Sequence, residues 1–124
     1  MQQKIVVLSI LFGVIMIGNY AYAEELDEYI RIDLEKFVKP ESARDYQEIT
    51  ITGHVNGYTR GDNIVITIIS PDKSEEEIST YASRDGDVYT LLHMTEESQI
   101  GNYKMILKYD GTERASTEFE IMEP

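Results

Sequence analysis

Two histidines, three turn aspartates and a group of tyrosines carry what chemistry this chain can offer. His54 and His93 are the only histidines. Each lies in a run of alternating apolar and polar residues, in segments that pair as neighbouring strands in a sandwich. If they opposed one another on an outward face they would begin a transition-metal site, which for zinc needs three or more protein ligands. Set apart, they are surface histidines with nothing shared. Asp62, Asp85 and Asp87 fall in turns, where hard oxygen ligands can hold calcium. No D-x-D-x-D-G loop orders them, and acidic turns also serve simply to keep a domain soluble. Calcium is therefore the one cofactor the sequence leaves open; no other is implied.

The serines are scattered through turns and strands, and no G-x-S-x-G places one at a strained turn beside a base. With 23 acids in the chain, a chance pair of carboxylates says nothing about glycoside hydrolysis. An enzyme is not expected. Tyr58, Tyr81 and Tyr89 offer a different use, because a rigid ring adds apolar contact area to a protein or glycan at little entropic cost. Cross-strand packing on a sheet surface is the other use open to them.

These residues hang on a succession of short strands. Ile49, Ile51, Gly53 and Val55 alternate with Thr50, Thr52, His54 and Asn56, the period of a half-buried strand. After the turn NGYTRGDN, residues 63–70 are almost uniformly β-branched, which suits a central strand covered on most of both faces. Pro71 ends that ladder because it has no backbone donor. Weaker alternation over 77–82 predicts an edge strand, Asp85-Gly86 a turn, and 88–94 a further strand in which Val88, Leu92 and Met94 compete with Tyr89 and Leu91 for the inner face. Tyr103, Met105, Leu107 and Tyr109 give a clear core face to the next strand. Asp110-Gly111 makes a hairpin into a last strand over 115–122, with Phe119 and Ile121 inward. Residues 24–40 are ambiguous: Tyr29 to Leu34 alternates as a first strand would, whereas Leu26, Ile30, Leu34 and Phe37 also fall at helical spacing.

Residues 1–23 carry Lys4, an apolar run from Ile5 to Ile17, and Ala21-Tyr22-Ala23 before an acidic stretch. This predicts a secretory signal peptide cut after Ala23, leaving one domain over 24–124; an uncleaved membrane anchor is the alternative. Losing Lys4 moves the formal charge from −12 to −13. Such a chain repels phosphate backbones and anionic lipid, so neither nucleic acid nor a peripheral membrane surface is expected as a partner, and with no second hydrophobic span no membrane insertion is expected after cleavage. Without cysteine there is no disulfide and no thiolate site, so stability rests on core packing.

Seven short strands divided by turn signals predict an all-β, antiparallel two-sheet sandwich over about residues 30–122. The series ITITGHV, GDNIVITIISPD, DGDVYTLL, IGNYKMILKYDG and STEFEI resembles the immunoglobulin-like and macroglobulin-type domains of secreted and cell-surface proteins, including exported archaeal and bacterial adhesins. Gly101-Asn102-Tyr103 is the most specific part, similar to the tyrosine corner, in which a buried phenol bonds back to the preceding backbone. The resemblance implies structural roles for Gly101 and Tyr103, and a secreted, non-enzymatic binding or structural module that meets an extracellular protein or glycan. A calcium- or metal-dependent binding protein is the alternative, and oligomeric state is not implied.

Overall fold

The computed structural model describes residues 27–124, in which eight strands and no helix form two sheets. In chain order the strands are β1 (Tyr29–Ile32), β2 (Lys36–Val38), β3 (Gln47–His54), β4 (Ile64–Ile69), β5 (Glu75–Thr80), β6 (Asp87–Met94), β7 (Gly101–Tyr109) and β8 (Thr112–Met122). The smaller sheet runs β1-β3-β6 and the larger β2-β8-β7-β4-β5. Ile30, Ile32, Ile49, Ile51 and Val88 from the smaller sheet meet Ile66, Ile68, Met105, Leu107, Phe119 and Ile121 from the larger in one buried cluster. The result is a β-sandwich-like, all-β fold. The leader expected over residues 1–23 lies outside the described residues.

The β-branched run of β4 sits inside the larger sheet, between β5 and β7. Ile64, Ile66 and Ile68 face the core, while on the opposite face Thr67 is also buried, at 1% exposure. Its hydroxyl has no hydrogen-bond partner among the described residues. Against it in β7 lies Ile106, likewise buried. Asp110 and Gly111 both take positive φ, 54° and 76°, as the two central residues of a primed hairpin turn require. That turn lets β8 begin at Thr112, earlier than the alternation suggests, with a bulge between Leu107 and Lys108.

Two expectations need correction. The first run is not one strand but two, which makes eight described strands where seven were expected. Asp33 causes the break: its N–H donates to Thr50 O at 3.2 Å and its carboxylate accepts the Thr50 N–H at 2.9 Å, which closes the β1–β3 ladder. The chain then crosses to the other sheet, where Phe37 is buried and stacks on Phe119 at 6.2 Å. Nor is the sandwich wholly antiparallel, since β2 runs parallel to β8 with Phe37 opposite Ile121. The helical spacing at Ile30, Leu34 and Phe37 arises because these three side chains pack on one core from β1, from the connection after it and from β2.

Tyr103 enters the core at the start of β7, 4% exposed, with its ring 4.8 Å from that of Phe119. Its hydroxyl donates to the Gln99 carbonyl at 2.6 Å. Gly101 just before it holds φ at 131°, and a Cβ there would come within 3.0 Å of the Pro71 ring. No other residue fits that position without moving the turn.

Candidate functional site

The densest polar structure lies at the end of the sandwich where β3 and β7 finish and β6 and β8 begin. His54, last in β3, pairs with Asp87 across to β6 and with Tyr29 across to β1. Its Nδ1 lies 2.9 Å from Asp87 Oδ1 and its Nε2 2.9 Å from Asn56 Oδ1, while the Tyr29 ring stacks 6.4 Å away. Two acceptors, one on each ring nitrogen, suit an imidazolium that donates twice. Beside it, Glu28 accepts the Asn56 N–H at 2.9 Å and pairs with Arg114 Nη1 at 2.5 Å. Arg114 in turn lies 5.1 Å over the Tyr109 ring. Because Glu28 precedes β1 and Arg114 belongs to β8, this ion pair ties one sheet to the other.

Burial acts against the charge on both titrating groups, and in both it is outweighed. For His54, desolvation opposes protonation, but the hydrogen bonds to Asp87 and Asn56 and the charges of Asp87 and Glu28 raise its pKa above the ordinary histidine value. For Glu28, desolvation pushes upward, yet the Asn56 N–H and the Arg114 guanidinium hold the carboxyl below its usual range. In each case the surroundings favour the charged form. With both ring nitrogens engaged by structural partners, His54 is placed to join β3, β6 and the β3–β4 connection.

The turn aspartates are occupied separately. Asp62 accepts the Tyr109 hydroxyl at 2.7 Å, Asp87 takes His54, and Asp85 lies exposed in the turn closed by Gly86 N–H to Ser83 O at 2.9 Å. Among the described residues no three His, Asp or Glu side chains converge as a metal would need. The two histidines stand at opposite ends of the β3–β6 ladder, His93 opposite Glu48 with Nε2 to Oε2 at 3.1 Å. They share no site. Each is instead set against its own acid.

Tyr58 does not project. It is half-buried, its ring 5.4 Å from that of Tyr109; its hydroxyl donates to Asp62 O at 2.6 Å and accepts the Ala82 N–H at 3.1 Å. Tyr81 and Tyr89 do project, each 65% exposed. Inner-face parity in β6 goes to Val88, Leu92 and Met94, which turns Tyr89, Leu91 and His93 outward. The bridge between Ala82 and Val88 sets Tyr81 beside Tyr89, and at the far end of the strand the exposed Tyr46 ring lies 4.5 Å from His93. No protein-family model matches this chain, and a search of the curated proteins finds no match.

Composition gave no sign of the Glu28–Arg114 tie, because the two residues are 86 positions apart and only the packing of β1 beside β8 brings them together. His54 could have been found more readily: it ends an alternating run on its polar side and has an aspartate as its partner in the next sheet position. Alternation alone reads such a residue as exposed, although the turn at Asn56 folds back and covers it.

Proposed function

We propose that this chain is a non-enzymatic extracellular binding or structural module, which contacts a protein or glycan at the cell surface through the outer face of its smaller sheet. The observation that carries the reading is the exposed row Tyr81, Tyr89, Leu91 and the Tyr46–His93 pair on one face. Large rings standing on a rigid strand give contact area without ordering a loop. The immunoglobulin-like resemblance is supported by the strand order, by the first strand that divides between sheets, and by the Tyr103 hydroxyl returned to Gln99. In that scheme β5 joins the larger sheet beside β4, where variable-type domains carry an added strand. Export belongs to the same reading, and intact-mass analysis of secreted protein should show Glu24 as the first residue. For the contact face, Tyr81→Ser with Tyr89→Ser should lower retention on glycan arrays or on immobilised cell-surface protein by tenfold or more while the thermal midpoint holds. Retention equal to that of the unsubstituted chain would overturn the assignment of this face.

A further inference from the structure

β6 is an outer strand of the smaller sheet, and its free side is built unlike the other outer strands. β1 has four residues and β2 three, while β5 opens with Glu75, Glu76 and Glu77, charges that discourage an incoming strand. β6 runs for eight residues, and from Val88 to Met94 it has no carboxylate, lysine or proline. In a chain with 23 acids that is an uncharged edge on an otherwise repelling molecule.

The backbone groups on this edge can be assigned from their neighbours. Asp87 donates its N–H to Ser83 Oγ at 3.2 Å and accepts the Ser83 N–H at 2.8 Å, so both of its groups point away from β3. The two-residue period turns those of Tyr89, Leu91 and His93 the same way. The bridge at Ala82 covers the first part of the edge. At the other end Thr95 is closed in a turn, donating to Ser98 Oγ at 2.9 Å and accepting Ser98 N–H at 3.0 Å. Between them, among the described residues, no strand pairs with the N–H and C=O groups of Leu91 and His93.

We infer that a second copy of this chain pairs along β6, antiparallel, about a two-fold axis through Leu92. The open groups set that register. Leu91 of one copy exchanges both backbone hydrogen bonds with His93 of the other, and the symmetry repeats the exchange, giving four. Leu92 meets Leu92 of the second copy on the inner side, where it is already half-buried against the core. No carboxylate opposes another along the paired segment, which is the condition for two such acidic chains to approach. The two smaller sheets then form one of six strands, and the tyrosine faces of both copies become continuous. This inference stands on the edge geometry and does not depend on what those faces bind.

The full chain tests it by sedimentation velocity over a concentration series. A monomer–dimer equilibrium is expected, with exchange of the Leu91 and His93 amides slowing as concentration rises. Leu91→Pro removes one outward donor without touching the β3 ladder and should weaken association at least tenfold. Since the chain has no cysteine, Leu92→Cys reports the register directly: two sulfurs on the axis fall within disulfide reach and should cross-link on oxidation far faster than Tyr81→Cys. A chain that sediments as a monomer throughout overturns the inference. So does a dimer untouched by Leu91→Pro, cross-linking of Leu92→Cys no faster than Tyr81→Cys, or an edge filled by an unrelated extended peptide instead of a second copy.

Discussion

Arg114→Met should expose how much of this fold depends on one ionic tie between its sheets. Methionine keeps most of the aliphatic reach of arginine and removes its charge, so the loss is mainly electrostatic. Arg114 and Glu28 are only 22% and 24% exposed, between the surface pairs worth about 0.2 to 1 kcal/mol and the fully buried ones whose breaking costs about 3 to 5 kcal/mol. A charge-assisted hydrogen bond contributes about 1.5 to 3 kcal/mol, and the guanidinium over Tyr109 adds about 0.5 to 1 kcal/mol. The variant should therefore lose about 2 to 3 kcal/mol from a total of about 5 to 15 kcal/mol. Glu28 keeps the Asn56 N–H, which limits the cost of stranding its charge. Urea melts of the single variants, of Glu28→Gln and of the double variant close a cycle in which the coupling energy should be about 1 to 2 kcal/mol. A coupling below about 0.5 kcal/mol would refute the reasoning, placing the pair with ordinary surface contacts.

Tyr103→Phe should cost about 0.5 to 1.5 kcal/mol in denaturant melts for its bond to Gln99, and Tyr103→Ala about 3 to 5 kcal/mol once the cavity is added. Tyr58→Phe should match the first of these in the same assay, because its hydroxyl holds both Ala82 and Asp62. His54 has a raised pKa in the fold, so its stabilising contribution is complete below the unfolded value near 6.5 and is lost as pH rises through the folded one; Glu28, lowered, contributes above its unfolded value near 4.5 and loses that contribution as pH falls. Thermal midpoints measured across pH should thus decline on the alkaline side in the unsubstituted chain and flatten there in His54→Gln. EDTA should leave the midpoint unchanged, and a large fall would bring calcium at the turn carboxylates forward.

Strands with one wet and one dry face were legible in the sequence because burial and alternation report the same thing: Ile49 and Ile51 in β3, and Tyr103, Met105, Leu107 and Tyr109 in β7, all face inward as the pattern requires. The parity of β6 was not, since Leu91 and Leu92 are equally apolar and only the register with β3 decides between them. Nor could local pattern reveal that Asp33 ends one ladder so that Phe37 can begin another, because that depends on Thr50 in a different strand. Tyr81 and Tyr89 were singled out by residue type, and they stand exposed together. Tyr58 was singled out on the same ground, but its hydroxyl, which donates to Asp62 O and accepts the Ala82 N–H, holds the ring inward against Tyr109. A tyrosine in a turn carries both an apolar ring and a donor, and composition does not say which the fold will use.

The parallel pairing of β2 with β8 also determines how this domain would carry mechanical load. Tension that draws Lys36 backward and Met122 forward acts along both strands in opposite senses, so the bonds of that short ladder, Glu120 N–H to Glu35 O and Lys39 N–H to Met122 O among them, are strained together in shear. An antiparallel hairpin pulled apart at its open end would release its bonds one after another. With Phe37 seated on Phe119 behind the ladder, sliding β2 also drags a buried ring across the core. The split that looks like an irregularity of the first strand would therefore set these bonds in shear under such tension, a geometry that a continuous first strand confined to the smaller sheet would not provide.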